Sequence, residues 1–160
     1  MTDEAVILLV EDGEDDVLLI RKAFARAYLD NPMHVVKDGE EAVAYLSGEG
    51  QYANRAEHPL PSLILLDLKM PRMDGFQVLE WLRAQPGIRG IPVVVLTTSD
   101  LMQDVNRAYS LGANSFLVKP MDFRDYADLG RVIRHYWIKS VKMPESYRPA
   151  RTPHRKHWHS

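Results

Sequence analysis

Four short, nearly unbroken apolar runs constrain this chain more than anything else in it: 6–10, 63–66, 93–96 and 115–118. A strand with one face in water alternates apolar and polar residues, whereas an unbroken run needs cover on both faces. A fifth, weaker run, Met33 to Val36, follows the turn signal Asn31-Pro32. Between the runs, apolar residues recur at helical spacing. Val17, Ile20, Phe24 and Tyr28 share a face, as do Phe76, Leu79 and Leu82 (or Arg83), then Val105, Ala108 and Tyr109, then Phe123, Tyr126, Ile133 and Trp137. A shorter helix is expected over 40–46. Asp74, Asp100 and Asp122 mark helix starts, and Gly87 and Gly112 mark stops. The stretch 47–61, with Gly48, Gly50, Pro59 and Pro61, reads as a surface excursion, with a longer second helix running through Tyr52 as the alternative.

Strand and helix thus alternate five times. Parallel strands require crossover helices, and right-handed crossovers leave few topologies. The expected fold is α/β: a (βα)5 doubly wound, five-stranded parallel sheet. Ligands of such sheets bind beyond the carboxyl ends of the strands.

With 160 residues, 46% of them hydrophobic, the chain can build one sizeable core. Charge divides it unevenly. The stretch 141–160 carries five basic residues against Glu145, so residues 1–140 hold a balance of −6 within the net −2. We therefore expect a globular domain over 1–140 and a basic, flexible tail over 141–160. The tail's histidines, between His154 and His159, fit surface better than a metal site. A net negative chain makes a poor nucleic-acid binder. The absence of cysteine excludes a disulfide framework. An acidic start and the lack of an apolar run of about 20 residues leave no signal peptide or membrane span to expect, and point to the cytoplasm.

Function should lie at the strand ends. The first strand delivers Glu11 and Asp12, the third Asp67, the fourth Thr97 and Thr98, and the fifth Lys119. Clustered carboxylates repel unless something positive sits among them. Mg2+, a hard cation that prefers oxygen ligands, would satisfy Glu11, Asp12 and Asp67. A strand-end aspartate can act as a nucleophile toward a phosphoryl group, with metal and Lys119 stabilising the transferring oxygens and Thr97 donating a hydrogen bond. Taken singly, each has a bland alternative as a helix cap, a turn former or a solvated lysine. All of them on one edge is far harder to assign to chance.

The segments Leu8-Leu-Val-Glu-Asp12, 65–75 (Leu-Leu-Asp-Leu-Lys-Met-Pro-Arg-Met-Asp-Gly), 94–99 and Gly112 to Pro120 resemble the receiver domains of two-component response regulators, over about 4–138. The resemblance implies a flavodoxin-like receiver fold with Asp67 as phosphoacceptor and Glu11 and Asp12 as the Mg2+-binding pair. The Lys69 backbone carbonyl would be a further ligand, and Thr97 and Lys119 would contact the phosphoryl oxygens. It also implies Phe116 as the aromatic switch that follows Thr97, and a cis peptide before Pro120. The protein would then be a phosphoacceptor rather than an enzyme, with a histidine kinase as partner. A narrower similarity, in the 48–52 excursion, the Thr97-Thr98 pair and Tyr136-Trp137, is to single-domain regulators paired with phytochrome-type kinases. Such regulators imply a homodimer through the last two helices and fifth strand, with Tyr109, Phe123, Tyr126, Tyr136 and Trp137 as its surface.

Two rivals share parts of this pattern. A haloacid-dehalogenase-like phosphatase would also use Asp67 as nucleophile but needs a second carboxyl two residues later, where Lys69 stands. A flavodoxin-type cofactor binder needs phosphate-holding donors after the first strand, where residues 11–16 are mostly acidic.

Overall fold

The computed structural model describes residues 5–138. Five parallel strands, β1 (Ile7–Val10), β2 (Met33–Val36), β3 (Leu63–Leu66), β4 (Val93–Thr97) and β5 (Ser115–Val118), lie in the order β2-β1-β3-β4-β5. The helices are α1 (Glu14–Arg26), α2 (Gly39–Ser47), α3 (Gly75–Arg83), α4 (Met102–Ser110) and α5 (Tyr126–Val132), the last continuing as a π-helical turn to Ile138. The doubly wound sheet read from the apolar runs is the observed fold.

Burial accounts for three of the four plain runs, while β5, equally plain in sequence, is an edge strand like β2. β1, β3 and β4 are buried along their whole length, while the edge strands β2 and β5 are only partly covered. Because side chains alternate across a strand, each apolar run divides between two cores. Leu8, Val10, Ile64, Leu66, Val93 and Val95 pack with residues of α2, α3 and α4. Ile7, Leu9, Leu63, Leu65, Val94 and Leu96 pack with residues of α1 and α5.

The helix ends show where local chemistry departs from simple punctuation. Asp74 caps α3 in a full capping box with Gln77. Asp100 does not cap α4. Instead Ser99 Oγ accepts the N–H of Leu101 and donates to Asp104 Oδ2 at 2.6 Å, moving the start to Met102. α2 does not run through Tyr52. Gly48, at φ 70°, stops it in the left-handed region that glycine tolerates. The excursion that follows is anchored: a 3-10 turn spans Gly50–Tyr52, and Arg55 donates to the carbonyls of Tyr45, Leu46 and His58.

α3 ends at Arg83, ahead of Gly87, and Arg83 itself ties three segments together. Its guanidinium donates to the carbonyls of Gly112, Arg89 and Ile91 and to Asn114 Oδ1. Asn114 Oδ1 in turn accepts the N–H of Val93 at the start of β4. Arg83→Met would keep the stem and strand those acceptors. We expect a loss of about 2 kcal/mol, since removing one partner leaves the others with their desolvation cost. It should be read as a lower urea midpoint at unchanged slope.

Candidate functional site: a carboxylate and lysine rim

Parallel register builds this site. Val10 pairs with Leu66, Leu66 with Val95, and Thr97 with Val118, so the residues that follow the strands meet on one rim. The Asp67 N–H donates to the Val10 carbonyl, and the Lys119 N–H to that of Thr97. Glu11, Asp12 and Asp67 each offer a carboxylate oxygen, and these oxygens lie within 4.8 Å of one another. Glu11 and Asp67 are buried, at 2% and 6% exposure, whereas Asp12 faces solvent. An open cleft of about 510 Å³, lined by Asp12, Lys69, Met70 and Phe76 among others, gives access from outside.

Lys119 reaches this rim from β5, with its side chain 4% exposed. Its Nζ lies 2.6 Å from Glu11 Oε1, 3.2 Å from Asp16 Oδ2 and 3.6 Å from Asp67 Oδ2. Burial alone would lower its pKa. The hydrogen bond to Glu11 and the charges of Asp67, Glu11 and Asp16 outweigh that and raise it, so the ammonium persists at neutral pH. Burial, helped by the neighbouring Asp67 charge, pushes Glu11 up to about 7 against the pull of Lys119 and of the Gly13 N–H. One ammonium therefore faces more negative charge than it can neutralise. Three hard oxygen donors, one of them open to water, make a divalent-cation site.

The other expected residues take up the following places. Thr97 is fully buried at the end of β4, its hydroxyl oxygen 3.5 Å from the Ser99 N–H. Lys69 is exposed, and its N–H lies 3.5 Å from Asp67 Oδ1. Phe116 is partly buried and packs against the α2–α3–α4 core. Tyr109 and Phe123 are exposed, at 48% and 61%. Tyr126 corrects the expected partner surface: it is 5% exposed and belongs to the α1–α5 core, because the first turn of α5 directs it under the helix. The side chains of Tyr136 and Trp137, and the tail over 141–160, lie outside the described residues. Among those residues there is no cis peptide, so the bond before Pro120 is trans. The sequence reading missed Asp16 as a member of the rim. Its signal was its spacing, four residues after Asp12, in the first helical turn to follow β1.

The family profile of the response regulator receiver domain matches residues 7–129. The chain belongs to that family. A receiver accepts a phosphoryl group on an aspartate and is not a conventional enzyme, which sets the phosphatase alternative aside. Response regulator Rcp1 of Synechocystis sp. is 38% identical over 148 residues, covering 90% of this chain and 99% of Rcp1. The crystal structure of the Mn(2+)-bound form of Rcp1 matches this receiver with a TM-score of 0.79, over 88% of this chain and 99% of that one. The phosphorylated cyanobacterial phytochrome response regulator RcpA matches with a TM-score of 0.81 at 37% identity, again over 88% and 99%. The probable methanogenesis regulatory protein FilR2 of Methanothrix harundinacea is 40% identical over 89% of each chain. Among the described residues no helix is long and apolar enough to cross a membrane.

Proposed function

We propose that Asp67 is the phosphoacceptor and that its donor is the phosphohistidine of a partner histidine kinase. The observation that carries this reading is the convergence of the Lys119 ammonium and the Glu11 and Asp12 carboxylates on Asp67. In the step, an Asp67 Oδ attacks phosphorus, the bond from phosphorus to the imidazole nitrogen breaks, and that nitrogen takes a proton from solvent. Glu11, Asp12, Asp67 and the Lys69 carbonyl would hold Mg2+, which when bound offsets the charge of the phosphoryl oxygens. Lys119 supplies a second positive charge, and the Thr97 hydroxyl a hydrogen bond.

Acceptance would then draw Thr97 toward the rim and let Phe116 turn inward, a shift of population between two arrangements. The surface that would respond includes Tyr109, Val118, Met121, Phe123 and Val132, all substantially exposed. We assign it to a homodimer through α4, β5 and α5. A phytochrome-type kinase is favoured by the similarity to RcpA over nearly the whole of that chain.

Incubation with acetyl phosphate and Mg2+, followed by peptide mass spectrometry, tests the central assignment. One acid-labile phosphoryl group on the peptide that holds Asp67 is expected. An adduct on another residue, or sustained turnover of phosphate monoesters, would overturn it.

A further inference from the structure

Three carboxylates share the buried ammonium of Lys119, and one of them has no part in the chemistry above. Asp16 stands in the first turn of α1, and its Oδ2 accepts a hydrogen bond from Lys119 Nζ at 3.2 Å. Glu11 takes another at 2.6 Å, and Asp67 is the most distant of the three at 3.6 Å. An ammonium has three N–H donors, and two point at groups other than the acceptor.

We propose that Asp16 is a positioning residue for phosphoryl uptake: it draws Lys119 toward α1 and withholds part of its charge from the phosphoryl group arriving at Asp67. The proposal rests on Asp67 being the phosphoacceptor.

Two features support a restraint rather than a passive contact. α1 is fixed in place, since Ile20, Ala23 and Phe24 are buried in the core it shares with α5. Asp16 therefore cannot travel with Lys119, and any move of the ammonium onto a phosphoryl oxygen lengthens their bond. Burial also separates the two non-acceptor partners. The Glu11 side chain is 2% exposed, while that of Asp16 is 36% exposed. Water can replace the ammonium at Asp16 far more readily than at Glu11, so Asp16 is the partner that lets go. Until it does, its negative charge also opposes an anionic donor through a medium that screens incompletely.

The test uses the full chain, acetyl phosphate and Mg2+. Asp16→Asn keeps the shape and removes the charge, and it should be labelled at Asp67 about fivefold faster than wild type, the change expected for losing one like charge a few ångströms from the reaction. Asp16→Glu, which restores the charge, should fall back near the wild-type rate; a merely structural role would not predict that rescue. A second measurement needs no metal. Asp16→Asn should lower the melting temperature of the wild-type background, and raise it when Lys119→Met has already removed the ammonium. Equal labelling rates for wild type and Asp16→Asn, or the same melting shift in both backgrounds, would overturn the role of Asp16 alone. If wild type takes no label at Asp67, the phosphoacceptor assignment fails and this proposal fails with it.

Discussion

Asp67→Asn is expected to reduce phosphoryl labelling to background while leaving the receiver folded. The amide is nearly the same size as the carboxylate, so the Lys69 N–H contact and the rim packing can persist. What it lacks is the charged oxygen nucleophile, and without that no acyl phosphate forms at useful rate. Lys119 keeps Glu11 and Asp16 as partners, so the ammonium is not stranded. Glu11 loses the like charge that helps to raise its pKa, which should move down from about 7. The melting temperature should stay within about 3 °C of wild type, an interval worth about 1 kcal/mol for a domain this size. Divalent-cation affinity should fall, because one of three charged ligands is gone. Mass spectrometry reads the first effect, calorimetry with Mg2+ the second. Substantial label in the Asn variant would mean that another residue accepts the phosphoryl group.

The sheet was legible because burial on both faces of β1, β3 and β4 writes itself as unbroken apolar runs. Of the two partly covered edge strands, β5 kept a plain run and β2, Met33–Val36, only a weak one. The rim followed from the same fact. Once the strands are parallel, the residue after each one has nowhere else to go, and Glu11, Asp67 and Lys119 needed no further information. Asp16 needed more: the start of α1 and the reach of Lys119 across from β5 must both be known before the two can be joined. Tyr126 failed for a different reason. α5 carries apolar residues over more than one stripe, and periodicity cannot say which stripe faces the sheet when both are apolar. Asp100 failed because a nearby Ser99–Asp104 pair offered the α4 terminus a better bonded arrangement than a single cap.

Gly75→Ala should cost about 3 kcal/mol and slow phosphoryl acceptance as well, the expected result of overpacking backbone against backbone. A Cβ at Gly75 would lie 2.3 Å from the Asp67 carbonyl oxygen and 2.8 Å from Leu68 Cα, neither of which is a flexible side-chain tip. The helix cannot easily retreat. The Gly75 N–H donates to the Leu68 carbonyl, and the Asp74–Gln77 capping box fixes the first turn of α3. Helix propensity alone would favour alanine here by up to about 1 kcal/mol, so a net loss isolates the close approach. Gly90→Ala provides the contrast. No atom lies within 4 Å of its added Cβ, and its effect should remain within about 0.5 kcal/mol. Urea unfolding of both variants checks the stability claim, and acetyl phosphate labelling checks its consequence, since the strain falls on the residue that carries the acceptor. If Gly75→Ala were as stable as wild type, the tight seat of α3 against Asp67 would not be what holds the acceptor in place.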